Sequence, residues 1–146
     1  MRQITQTLII AIASLTLYAC SNNHAIKEAA YNYSYAMANY QVDDAAKYST
    51  NETIETTIEY AHHIINKIDT AYIIADTPAI IEIASTNKTS DTTAYAIYHK
   101  VTPIKDFRDT LQLRKREGKW LAHAPLKTAP RRTPQQTESI IAPETN

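Results

Sequence analysis

Apolar positions in this chain follow two rhythms. Between residues 25 and 68 they recur at spacings of three and four, and from residue 71 they alternate. Ile26, Ala29, Ala30, Tyr33, Met37 and Tyr40 fall on one face of a helix predicted over 25–40. That stretch has no Gly or Pro and holds five alanines, so intrinsic propensity agrees with the pattern. Gln41-Val42 breaks the run. Asp43 to Tyr48 predicts a short second helix whose acidic start and Lys47 suit the helix dipole. A third helix is predicted to run to about Lys67, with Ile54, Ile58, Ala61, Ile65 and Ile68 as its stripe. It opens at Ser49-Thr50-Asn51-Glu52, where Ser49 and Glu52 stand at capping-box spacing.

The alternating part predicts five strands. Ala71–Ala75 and Ala79–Ser85 flank Asp76-Thr77-Pro78, and Asn87–Asp91 forms a loop. Thr92–Val101 follows, with Thr93, Tyr95, Ile97, His99 and Val101 on one side, and Pro103 stops it. Asp109–Lys115 places Leu111 and Leu113 on one face. Arg116-Glu117-Gly118-Lys119 turns the chain, and Trp120–Ala124 returns with the Trp120 ring expected in the core. The fold class is therefore α+β, with N-terminal helices packed on an antiparallel sheet in one domain over 25–126. Beyond it the chain is rich in Pro, Thr, Gln and Arg, with Ile140-Ile141 as the one apolar pair. Residues 127–146 are expected to be a disordered tail.

A different pattern precedes the first helix. Met1-Arg2-Gln3 leads into an apolar stretch from Leu8 to Leu17, which ends at Tyr18-Ala19-Cys20. A charged start, a short apolar run and a small residue before the break mark an export signal. Ten or so apolar residues are too few to cross a bilayer core that needs ~20. Leu17-Tyr18-Ala19-Cys20 resembles the bacterial lipobox, although Tyr18 is bulkier than the small residue usual there. The resemblance implies that residues 1–19 are a lipoprotein signal peptide and that Cys20 is lipidated. Residues 20–24 then form a short tether, and the membrane becomes a partner through the lipid on Cys20. Ser21 stands where an aspartate would imply inner-membrane retention. The expected location is therefore the cell envelope, at the outer membrane facing the periplasm. The plainer alternative is an ordinary secretory signal followed by a free thiol, which an oxidising compartment disfavours.

Composition removes several function classes. One glycine, Gly118, in 146 residues argues against phosphate-cradling loops, dinucleotide fingerprints and nucleophile elbows. Cys20 is the sole cysteine, so no disulfide closes within the chain. Net charge is zero but unevenly placed. Residues 20–99 carry four lysines against ten acids, −6, and residues 100–132 carry ten bases against three acids, +7. A basic face for lipid headgroups or an acidic partner is one reading. Mutual attraction within one fold is the simpler one.

Tyr40-Gln41-Val42-Asp43-Asp44-Ala45-Ala46-Lys47-Tyr48 and Leu111-Gln112-Leu113-Arg114-Lys115-Arg116-Glu117-Gly118-Lys119-Trp120 resemble the nuclear transport factor 2-like (cystatin-like) superfamily. More narrowly, the chain is similar to small bacterial lipoproteins with that domain. The resemblance implies a cone in which a long helix crosses the concave side of a bent sheet, leaving a pocket at the open end. Superfamily enzymes of the cyclase and isomerase kind place an Asp or His there, whereas others only bind, dimerise or scaffold.

Candidate chemistry is sparse. His62 and His63 are adjacent on a helix and about 100° apart, so one metal cannot face both; no metal site and no cofactor is expected. His99 beside Tyr95, polarised by Asp76 or Asp109, is the one acid–base set to weigh, against a strand histidine bonded to a neighbour. Tyr33, Tyr40 and Tyr95 are candidates to line a ligand pocket, against simple core and rim filling. The leading expectation is a non-enzymatic binding or assembly module of the envelope. Its partners would be a second copy bound through the sheet face or another envelope protein, and not nucleic acid. The alternative is a small-ligand enzyme or carrier with a tyrosine-lined pocket.

Overall fold

A computed structural model describes residues 23–127. The expected signal peptide, Cys20 and the tail beyond Lys127 lie outside the described residues. Helix α1 spans residues 23–38 and buries Ile26, Ala29, Ala30 and Tyr33, the stripe its spacing predicts. Its end is a Schellman turn: Gln41 N–H donates to the Ala36 carbonyl at 2.8 Å and Tyr40 N–H to that of Met37 at 3.3 Å. Tyr40 sits at the left-handed position with φ +61°, where glycine is usual. Helix α2 (Val42–Ala46) follows.

A helical rod then runs through α3 (Asn51–Thr53), a π-helical turn (Ile54–Ile58) and α4 (Glu59–Ile65). Ile58 is buried, while Ile54, Ala61 and Ile65 pack against the core from its rim. The expected capping box does not form. Thr50 is the N-cap, and Ser49 Oγ instead donates back to the Ala45 carbonyl at 2.8 Å.

Ala71–Ala75 is not a strand. It lies in helix α5 (Thr70–Ala75), capped by Asp69, whose carboxylate accepts the Ala71 N–H at 2.8 Å. An apolar run this short carries no decisive period, and the cap chooses the helix. The sheet accordingly has four strands among the described residues, not five: β1 (Ile80–Lys88), β2 (Thr93–Thr102), β3 (Lys105–Arg116) and β4 (Lys119–Ala122). They pair antiparallel in the order β1-β2-β3-β4, with a bulge between Ile83 and Ser85. β3 begins four residues earlier than expected, and β1 runs on through Asn87 and Lys88, which the sequence places in the loop.

The β3–β4 hairpin turns on Glu117 (φ +49°) and Gly118 (φ +81°), the two positive angles that a tight two-residue turn demands. Trp120, at 5 % exposure, is in the core as expected. That core lies between α1, the rod and one sheet face. It is built of Ile26, Ile58, Ile83, Leu111, Leu113 and Trp120, with alanines from α1, β2 and β4 filling between them.

The outer edge of β4 is covered. Thr50 N–H donates to the Ala122 carbonyl at 2.9 Å, and Ala122 N–H donates to that of Tyr48 at 2.7 Å. No helix of the described residues is long and apolar enough to cross a membrane.

Candidate ligand-binding site

Alternation along β2 divides the sequence-predicted residues. Ala94, Ala96, Tyr98, Lys100 and Thr102 turn toward the helices. Tyr95, Ile97, His99 and Val101 turn away from them. The set expected on one side is on one side, but it is the outer one. His99 therefore does not enter a cone beside Tyr95. Its Nε2 pairs across the hairpin with Asp106 Oδ1 at 2.5 Å, while Tyr95 is 38 % exposed. The acid–base reading of His99, Tyr95 and Asp76 fails on geometry, because Asp76 belongs to the opposite face.

Asp76 is the most enclosed acid described, with no exposed surface. It ends α5, and the Tyr40 hydroxyl donates to its Oδ2 at 2.8 Å while that of Thr102 donates to its Oδ1 at 2.8 Å. Lys105 Nζ, seated 4.9 Å over the Tyr72 ring, reaches Oδ2 at 3.4 Å. Burial pushes this carboxyl up. The Thr102 and Tyr40 hydroxyls and the charges of Lys100 and Lys105 outweigh burial and hold it below the ordinary carboxylate range. A carboxylate so fully occupied is a fastener joining α1, α5 and the β2–β3 turn. It brings Tyr40 and Asp76 together, but as structure.

Farther along the same inner face, α1 and the sheet leave a cavity of about 270 Å³. Tyr33, Ser34 and Met37 line it from the helix, and Tyr98, Lys100 and Asp109 from the strands. The Tyr98 hydroxyl lies 3.5 Å from Asp109 Oδ2. Burial pushes both Tyr33 and Tyr98 up to about 12, and Asp109 adds to the rise at Tyr98, so both remain hydroxyl donors at neutral pH. Desolvation pulls the Lys100 ammonium down from its ordinary value, and Lys100 forms no ion pair among the described residues.

Ser34 is 5 % exposed, and its Oγ has no hydrogen-bond partner. A serine inside a helix usually bonds back to the carbonyl four residues earlier, and a buried hydroxyl without a partner costs about 1–3 kcal/mol. Of the tyrosine candidates, Tyr33 is thus in the cavity, Tyr40 is committed to Asp76, and Tyr95 is outside.

Lys100, Ser34 and Thr102 do not stand out in the sequence. The signal available was the pair Ala94 and Ala96. Small residues alternating with large ones mark the strand face that a helix can approach, and Tyr98, Lys100 and Thr102 continue that face. Among the described residues no group of His, Cys, Asp and Glu side chains is placed to hold a metal ion. No protein-family model, curated protein or solved structure matches this chain.

Proposed function

We propose that this chain is a lipid-anchored lipoprotein of the cell envelope, held at the outer membrane through Cys20, whose domain works as a binding or assembly module and not as a catalyst. The leader and its Leu17-Tyr18-Ala19-Cys20 ending support the anchor. The observation that carries the binding role is the outer face of the sheet. Ile80, Tyr95 and Ile97 lie there at 66 %, 38 % and 42 % exposure, set among Glu82, His99, Arg108 and Arg114. Apolar side chains on a regular sheet face, interrupted by charge, suit a protein partner, either a second copy or another envelope protein.

The combination of helices on one face of an antiparallel sheet is compatible with a nuclear transport factor 2-like cone, and we carry that assignment as part of the same proposal. The anchor is tested by growth with a clickable fatty acid. The chain should be labelled and Cys20→Ser should not, and equal labelling of the two sinks it. Capture from solubilised envelope should return a partner with the wild-type chain that Ile97→Lys loses. Equal capture by both would remove the sheet face from the proposal.

A second reading rests on the cavity. A part-buried ammonium that makes no direct ion pair among the described residues and a buried hydroxyl without a partner favour a small anionic ligand, with Lys100 for its charge and Ser34 for a hydrogen bond. Small carboxylates and phosphates should then raise the melting temperature of the wild type and leave Lys100→Met unmoved. An equal shift in both, or none in either, discards the reading.

A further inference from the structure

A second hollow, of about 260 Å³, lies between the C-terminal end of α1 and the rod. Met37, Tyr60, Ala61, Ile64, Ile65 and Ile68 line it, and hardly a polar atom among them. Tyr60 is 54 % exposed, and α4 buries none of its residues completely, so this apolar groove is open. It is large enough for several waters at about 30 Å³ each, yet gives them almost nothing to bond.

The route of the chain leads to this groove. After β4 the backbone leaves the sheet and climbs the rod toward its C-terminal end. Ala124 N–H donates to Thr53 Oγ1 at 2.9 Å, the Thr57 hydroxyl donates to the Ala124 carbonyl, and Leu126 N–H donates to Thr56 Oγ1 at 3.2 Å. Thr57 is itself one of the groove-lining residues. The described residues end at Lys127, one position after Leu126, whose N–H is held on Thr56 beside that groove-lining residue.

Beyond Lys127 the sequence carries Arg131 and Arg132, then Glu138, then Ile140-Ile141 as the one apolar pair after Leu126, then Glu144. The rod shows Glu55 and Glu59, both exposed and without an ion pair among the described residues. From Thr56 to Ile68 is about 18 Å along a helix. The thirteen steps from Lys127 to Ile140 reach up to ~43 Å when extended, so the span is easily covered. A tether of that length gives its end an effective concentration in the millimolar range, enough to seat a small apolar plug that would not bind as a free peptide.

We infer that the groove is the seat of this chain's own C-terminal segment, with Ile140-Ile141 filling it and Arg131-Arg132 crossing the Glu55–Glu59 side of the rod. Residues 127–146 are then an attached arm and not a free tail. Met37 lines both this groove and the inner-face cavity, so the arm packs against the wall of that cavity.

Two measurements on the full-length mature chain decide it. Hydrogen exchange over Glu59–Ile68 should quicken about tenfold in Ile140→Asp/Ile141→Asp, with β2 and β3 unchanged; identical rates in the two proteins overturn the inference. Substituting at 140 and 141 touches nothing in the described fold, so loss of folding does not confuse the result. In a Cys20→Ser background, Ile64→Cys with Ile141→Cys should form a disulfide within one chain, at a rate independent of protein concentration. It should also outpace a control pairing of Ile97→Cys with Ile141→Cys. Bonds between chains, which would mean a second copy fills the groove, or equal rates for both pairings overturn it as well.

Discussion

At the scale of single residues, Tyr40 holds two roles that oppose each other. A left-handed backbone costs a non-glycine residue about 1–2 kcal/mol, yet here it turns the chain so that the phenol reaches Asp76. Removing the hydroxyl keeps the strain and strips a donor from a buried carboxylate. Tyr40→Phe should therefore cost about 1.5–3 kcal/mol in urea unfolding. In an Asp76→Ala background the same change should cost less than about 0.5 kcal/mol, because the acceptor is gone; equal costs in both backgrounds would mean that the bond contributes nothing.

Asp76→Ala alone should lose about 3–5 kcal/mol, since Tyr40, Thr102 and Lys105 are left facing each other without their acceptor. With its folded pKa held below the unfolded value of about 3.9, the Asp76 carboxylate contributes stability that is present above that pH. The contribution fades as pH falls through the lowered value. Trp120 gives a different contrast. Its Nε1–H is buried without a partner, so Trp120→Phe should cost far less than the roughly 3–5 kcal/mol of Trp120→Ala.

At the scale of elements, the rod and the strand that leaves the sheet are joined by a relay of side chains. Thr53 Oγ1 donates to the Ala122 carbonyl at 3.3 Å and lies 3.0 Å from Thr50 Oγ1, which lies 3.1 Å from His123 Nδ1. Burial pulls the His123 imidazole below its ordinary value, and Arg114 and Arg116 add to this against Glu52. The folded state thus holds His123 neutral, while the unfolded chain takes up a proton near pH 6.5. Stability is full above that pH and declines as pH falls toward the lowered folded value. Wild type should lose more melting temperature than His123→Gln between about pH 7.5 and about pH 5.5, and parallel losses would remove His123 from the pH response.

The same elements mark how far the sequence can be read. The α1 stripe, the rod, the hairpin at Glu117-Gly118 and the buried Trp120 were legible, because each rests on local periodicity or turn chemistry. Helix α5 reads wrongly as a strand because Ala71-Tyr72-Ile73-Ile74-Ala75 has no period of its own and its fate turns on one cap, Asp69. The cavity was half legible. Tyr33 belongs to a visible stripe, but which face of β2 turns inward depends on pairing with β1 and β3 that no local pattern records. Alternation alone therefore puts His99 and Tyr95 inside and passes over Lys100.

For the molecule as a whole, charge and exposed apolar surface have to be taken together. Acids dominate the helices and bases dominate β3, and the two sets meet in Arg116–Glu52 at 3.5 Å and Lys105–Asp76 at 3.4 Å. The first of these pairs is exposed and worth at most about 1 kcal/mol, so beyond the Asp76 fastener the imbalance does little for stability. Its larger effect is on association. A chain with zero net charge has little long-range repulsion to keep copies apart. What remains is the composition of the outer sheet face, where Ile80 stands opposite Val101 and Ile97 opposite Thr110. Glu82, His99 and Arg108 cross the middle of that face as one polar row with an acid at one end and a base at the other, so two copies related by a twofold axis can set acid against base while their isoleucines meet. Ile97→Lys adds a charge at the apolar part of this face without disturbing the core beneath. By light scattering at tens of micromolar, wild type should run as a dimer and Ile97→Lys as a monomer with the same melting temperature. A wild-type chain that stays monomeric under those conditions would leave the face to an unlike partner, and a variant that stays dimeric would place the contact elsewhere.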